Sequence, residues 1–194
     1  MADTGCVCHL PQSCAFEYIP VGQLPPAIRL SRDYALNKGE RKVMVDMTDS
    51  KQLCNQLKSL TCGVPHRIAN LANASALLWQ TLPDINWAGF YIFDGDKLVL
   101  GPFQGKPACI EIPLGKGVCG KAAATCKTVA VANVHEFEGH IACDAASNSE
   151  IVVPLFVNGA LFGVLDVDSP LFNRFTEQDK IGLEQFAAIL QQAL

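Results

Sequence analysis

Asn158-Gly159 stands between two apolar runs, Ile151 to Val157 and Ala160 to Asp168. Asn and Gly both tolerate the positive φ of a tight two-residue turn, so this is the strongest hairpin signal in the chain. Two strands are thereby committed to antiparallel pairing, and a lone hairpin is not stable in water. The remainder of the chain must extend the sheet and cover it. Pro154 brings no N–H to a ladder, which predicts an edge or a bulge at that point.

The covering elements are legible on either side. Leu53, Leu57 and Leu60 fall at helical spacing after Thr48. Gly63 and Pro65 mark a stop and a new start. Ile68, Leu71, Ala72, Ser75, Leu78, Trp79 and Leu82 then trace a second amphipathic helix ended by Pro83. Trp87 to Phe93 is apolar on both faces, as a central strand requires. Asp94-Gly95 turns it into Lys97 to Leu100, and Cys109 to Ile112 reads as a third short strand. Leu114-Gly115-Lys116-Gly117 leads into a small-residue helix, Val118 to Cys126, followed by a strand at Val129 to Ala132. Thr176 caps a last helix with Asp179 three residues on, and Ile181, Phe186, Ile189 and Leu190 line its buried face. The predicted class is α+β: an antiparallel sheet with helices packed against it. Residues 1–45 carry Pro11, Pro20, Pro25 and Pro26 and sustain no period. They are read as an N-terminal extension, and residues 46–194 as the domain.

Composition narrows the function classes. The chain has 194 residues and a formal net charge of −4, with no basic stripe for nucleic acid. No apolar run approaches the length of a membrane span, and no secretory signal is visible at Met1 to Cys6. Nine cysteines, an odd number without a dense framework, do not read as a secreted disulfide scaffold. These features predict a cytoplasmic protein with reduced thiols, no nucleic-acid partner and no membrane partner.

The chemistry-bearing residues gather in the strand-rich half. Cys143 lies in a polar, loop-like stretch, His140 to Ser147, and Glu150, Asp166 and Asp168 follow it closely. Free cysteines are usually inert core residues, but this setting favours a nucleophile, and a following helix N-terminus would lower its pKa. Asp166 and Asp168 are two apart in a strand and share a face. With Glu150 nearby the three cannot all ionise cheaply, so one carboxyl is expected to keep its proton at neutral pH. The competing reading of the pair is a solvated strand end or a cation site. Trp87 and Tyr91 also share a face, as substrate wall or as plain core. Cys119 opens a helix behind Gly115-x-Gly117, a weak anion-cradle signal. Cys126 is expected in the core, and Cys54 and Cys62 receive no role. Cys6, Cys8, His9 and Cys14, like His135, His140 and Cys143, lack the paired spacing of a zinc site. No metal and no cofactor is expected.

From about Pro65 to Leu194 the chain resembles a GAF domain, and more narrowly the free methionine-(R)-sulfoxide reductases. The matching elements are Asn86-Trp87-Ala88-Gly89-Phe90-Tyr91, Gly101-Pro102-Phe103-Gln104-Gly105, Gly115-Lys116-Gly117-Val118-Cys119-Gly120, His140-Ile141-Ala142-Cys143-Asp144, Ser149-Glu150-Ile151-Val152-Val153-Pro154 and Leu165-Asp166-Val167-Asp168-Ser169. General GAF motifs are weak guides, because the fold hosts many functions. The cysteine trio with the acidic trio is more specific.

The resemblance implies that Cys143 attacks sulfur, that Cys109 is the main resolving thiol and that Cys119 is an accessory thiol. It further implies that Glu150, Asp166 and Asp168 surround the sulfoxide oxygen, with Trp87, Tyr91, Ile141 and Ala142 contacting the substrate. The reaction it implies is reduction of free methionine-(R)-sulfoxide through a sulfenic acid and an intramolecular disulfide, recycled by thioredoxin. A homodimer is compatible with it. The rival is a GAF sensor of a small ligand or of oxidants, without turnover.

Overall fold

The computed structural model describes residues 47–139 and 146–194. Two helices come first, α1 (Met47–Thr61) and α2 (Arg67–Thr81). The strands β1 (Trp87–Phe93), β2 (Lys97–Gly105) and β3 (Glu111–Pro113) follow, then helix α3 (Gly117–Thr125) and strand β4 (Val129–Val131). A 3-10 turn spans Val134–Glu136, and the chain closes with β5 (Ser149–Val157), β6 (Ala160–Ser169) and α4 (Glu177–Gln191). The strands form an antiparallel sheet in the order β3-β2-β1-β6-β5-β4.

The Asn158-Gly159 hairpin sits near the centre of this sheet, pairing β5 with β6. Both residues have positive φ, 52° and 79°, as a tight turn with the right strand twist demands. The second hairpin uses Asp94, whose carboxylate accepts the N–H groups of Asp96 and Lys97, an Asx-type turn. Pro154 falls where β5 runs past the end of β4, which reaches only Val152. There β5 has a neighbour on one side alone, and a register shift follows at Leu155/Phe156. The missing N–H therefore costs no ladder bond.

Period 2 along the strands divides the core in two. Ala88, Phe90, Ile151, Val153, Leu155, Leu165 and Val167 face α1, α2 and α4 and form one apolar layer with them. Trp87, Tyr91, Leu98, Val152 and Val164 face the other way and are covered by α3. Thr176 and Asp179 close a full capping box at the start of α4, and Arg174 pairs with Asp179 at 3.1 Å.

Several details differ from the sequence reading, and one is that β2 continues past Leu100 to Gly105. Cys109 and Ile110 precede β3 rather than belonging to it, since the strand begins at Glu111. Ile68 is 77 % exposed, because the buried stripe of α2 starts a turn later at Leu71 and continues through Ala74, Ser75 and Leu78. Trp79, Leu60 and Ile181 sit off the buried stripes of their helices and are also exposed. Cys126 is exposed rather than core: α3 ends at Thr125, and Cys126 turns into the left-handed region at φ 54°, which takes its side chain off the helical face.

Candidate active site

The strand register builds the site from alternate residues. Trp87 on β1 lies opposite Asp168 on β6, which lies opposite Glu150 on β5. The next row on the same face runs Gly89, Asp166, Val152. Directly opposed residues in an antiparallel sheet have Cβ atoms about 5 Å apart. Three carboxyl groups therefore share one patch of sheet beside a tryptophan. Helix α3 lies over the patch and delivers Cys119 to it. The Cys119 thiol donates to Glu150 Oε1, with sulfur and oxygen 3.8 Å apart.

Like charges packed this closely destabilise one another unless protons intervene. Glu150 and Asp166 are only 6 % and 5 % exposed. Burial holds the Glu150 carboxyl well above the usual carboxylate range, and the neighbouring Asp166 and Asp168 push it in the same direction. Burial also pushes Asp166 up to about 7, against the opposing pull of hydrogen bonds from Cys119 and Glu150. Asp166 Oδ1 is buried with no hydrogen-bond partner among the described residues. Burial thus pushes both Glu150 and Asp166 toward their protonated forms, and Asp166 titrates near neutrality. The Cys119 thiol is raised well above an ordinary cysteine by burial, then by Asp166 and Glu150, so it stays protonated.

An aromatic wall faces the acids. Trp87 stacks on Tyr91 with ring centroids 5.9 Å apart and on Phe103 at 5.3 Å. Its Nε1–H donates to the carbonyl of Lys106 at 3.2 Å, and the Tyr91 hydroxyl donates to the carbonyl of Cys109 at 3.0 Å. Two glycines make room for the stack. A Cβ on Gly89 would sit 2.3 Å from Phe103 Cβ, and one on Gly105, at φ +127°, would sit 2.7 Å from Trp87 Cδ1.

Trp87, Tyr91, Cys119, Glu150, Asp166 and Asp168 all line one pocket, with Ala108, Val118 and Ser147 among the rest of its lining. Cys109 adjoins it through its bond to Tyr91. It is disulfide-bonded, whereas Cys54, Cys62, Cys119 and Cys126 are free. Its partner lies outside the described residues, as do Cys143, Ile141 and Ala142 among the expected site residues. Cys6, Cys8, His9, Cys14 and His140 lie outside them as well.

The weak anion-cradle signal at Gly115-x-Gly117 does not correspond to a cradle in the fold. The N–H groups of Gly115, Lys116 and Gly117 are bonded to the carbonyls of Gly120, Pro113 and Gly139, so none remains for an anion. Phe103 and Ser147 stand within segments quoted from the sequence but carry no site role there. Ser147 is tied to Asn86, whose Nδ2 donates to its hydroxyl at 3.0 Å. Phe103 reaches the Trp87 face through a register shift between Gly89 and Tyr91 in the β1–β2 pair, which leaves no trace in an alternation pattern.

The GAF domain family model matches residues 72–194. A protein named free methionine-R-sulfoxide reductase from Escherichia coli (strain K12) is 55% identical over 142 residues, 73% of this chain and 86% of the relative. A solved structure of fRMsr of Staphylococcus aureus in complex with its substrate superposes with TM-score 0.73 at 49% identity, covering 78% of this chain and 99% of that one. The free methionine-R-sulfoxide reductase of Neisseria meningitidis, also solved with its substrate, superposes with TM-score 0.73 at 40% identity, covering 82% and 94%.

Proposed function

The chain belongs to the free methionine-R-sulfoxide reductases of the GAF-domain family, and from that premise we propose that it reduces free methionine-(R)-sulfoxide in the pocket between α3 and the sheet. The observation that carries this reading is the pairing of a buried carboxyl cluster, lined by Trp87 and Tyr91, with a disulfide at the adjoining Cys109. One side of the pocket is suited to an oxygen that must gain protons, the other to a methyl-sulfur group, since sulfur packs favourably on aromatic rings.

Cys143 is assigned as the attacking thiol, on the family motif alone. Its sulfur takes the sulfoxide oxygen, methionine leaves, and Cys143 becomes a sulfenic acid. The protonated Glu150 donates a hydrogen bond to that oxygen as negative charge builds on it. Burial first, and then the charges of Asp166 and Asp168, favour the proton on Glu150. The Cys109 thiol then condenses with the sulfenic acid, releasing water and leaving a disulfide. The free state of Cys119 and the bonded state of Cys109 support Cys109 as the resolving thiol. A dithiol reductant of the thioredoxin class returns both thiols to the reduced state.

Compartment and assembly follow the same reading. The free thiols of the described residues fit a reducing cytoplasm, and no described helix is long and apolar enough to cross a membrane. Association into a homodimer is compatible with the fold.

The test compares free methionine-(R)-sulfoxide with the same residue inside a peptide, each supplied with thioredoxin, its reductase and NADPH. NADPH oxidation with the free amino acid only is the expected result. No turnover with either, together with binding of a small ligand, would favour a sensor instead.

A further inference from the structure

Cys119, Glu150 and Asp166 place one sulfur and two carboxylate oxygens within 4.8 Å of one another, all three buried. The sequence offers a cation site only at the pair Asp166 and Asp168; Cys119, Glu150 and Asp166 are far apart in number, and only the fold unites them. The sulfur–oxygen separation of 3.8 Å is close to a tetrahedron edge of about 3.5 Å, as Zn–S and Zn–O bonds of roughly 2.3 and 2.0 Å imply. A second observation points to a ligand rather than to a mere acidic cluster. Asp166 Oδ1 is buried, lines the pocket and has no partner among the described residues, a position that is costly to leave unsatisfied.

We infer that Cys119, Glu150 and Asp166 form a binding site for one divalent cation of the zinc class, and that its occupancy inhibits the enzyme. A thiolate with two carboxylates selects Zn2+ or Co2+ over Mg2+ and Ca2+, which prefer oxygen alone. Binding exchanges protons for the cation: the Cys119 thiol proton and any carboxyl proton leave to solvent, the thiolate and carboxylates remain as ligands, and no electrons move. The bound ion would sit where the sulfoxide oxygen is placed and would remove the proton that Glu150 supplies. The inhibitory consequence rests on the functional reading above; the binding itself does not.

The site survives in the oxidised protein, because Cys119 is free while Cys109 is bonded. The experiment therefore uses the oxidised full chain, titrated with Co2+ and followed by its thiolate-to-cobalt charge-transfer absorption. One equivalent is expected to saturate the band, Zn2+ to displace it, and Mg2+ to leave it unchanged. Cys119→Ser should abolish the band, and Asp166→Asn should weaken binding about tenfold or more; Cys62→Ser and Cys126→Ser should change neither. A band of unchanged intensity in Cys119→Ser, or its loss to Mg2+, overturns the site. If Cys119→Ser does not fold, by circular dichroism, unchanged binding in Asp166→Asn overturns it equally. Zn2+ bound at this site with undiminished methionine formation overturns the inhibition. A wild type that never turns over but shows the band separates failure of the functional reading from failure of the site.

Discussion

Cys119 on α3 and Glu150 on β5 meet through a buried thiol–carboxyl contact of 3.8 Å. Neither group is near its ordinary titration. Burial raises both, and each is raised further by Asp166. A thiol in this state is a weak nucleophile, so Cys119 is set up as a hydrogen-bond donor to the acid cluster. It is poorly placed to start the reaction and free to remain reduced while Cys109 is oxidised.

That state is measurable by alkylation. At neutral pH the exposed Cys62 and Cys126 are expected to react with iodoacetamide well before Cys119 in the folded protein. Peptide mapping by mass spectrometry over time reads the order. Cys119 labelled as fast as Cys62 would show that its thiol is neither shielded nor raised.

The acid cluster gives a signed pH dependence. Asp166 moves from 3.8 in an ordinary setting to about 7 in the fold. Below 3.8 it is protonated in folded and unfolded chains alike, and it contributes nothing. Between 3.8 and about 7 the folded chain holds the proton that the unfolded chain has lost, so stability falls as pH rises. Above about 7 the penalty is constant. Asp166→Asn is expected to flatten the fall in Tm across that window and to raise stability at neutral pH by about 2 kcal/mol, in line with relief of a buried charge. Parallel Tm curves for the variant and the wild type would contradict it.

Gly89 controls the aromatic wall. A methyl group there would meet Phe103 Cβ at 2.3 Å and its backbone Cα at 2.8 Å, so Phe103 must move and Trp87 with it. Gly89→Ala is expected to cost about 1–3 kcal/mol, as overpacking does. Thermal unfolding checks the loss, and a raised KM for the sulfoxide checks the displaced wall. A variant with unchanged Tm and unchanged KM would show that the contact yields freely.

The proposed division of labour between Cys143 and Cys109 predicts two phases in Cys109→Ser. The first turnover should proceed as in the wild type, because the attacking sulfur is untouched. Later turnovers should be slow, because the sulfenic acid lacks its partner. Rapid quench followed by steady-state assay separates the phases, and undiminished steady-state turnover would move the resolving role elsewhere.

Much of this was legible in the sequence because it depends on local rules. Asn158-Gly159 fixed one hairpin, Asp94-Gly95 another, and Thr176 with Asp179 the start of α4. Period 2 was enough to put Asp166 with Asp168, and Trp87 with Tyr91, on shared faces. Phe103 was not legible, because a register shift changes which face it serves: Leu98 and Leu100 pack on the α3 side, and Phe103, of opposite parity, joins them only after the irregularity. The Gly115-x-Gly117 turn misled because its amide groups are consumed by local carbonyls, Gly120 and Gly139 among them, which no spacing reveals. The exposure of Cys126 depends on where α3 stops, and helix ends are poorly marked when no strong cap is present.

In the proposed reaction, oxygen leaves free methionine-(R)-sulfoxide for Cys143, whose sulfenic acid ends in a disulfide with Cys109. This reaction is tested most directly by a single-turnover measurement on the fully reduced chain, without any reductant, counting methionine formed and mapping the disulfide. About one methionine per chain is expected in the wild type, with a new Cys109–Cys143 peptide, and neither product in Cys143→Ser. Undiminished methionine formation in Cys143→Ser, or a disulfide that leaves Cys109 out, would contradict it.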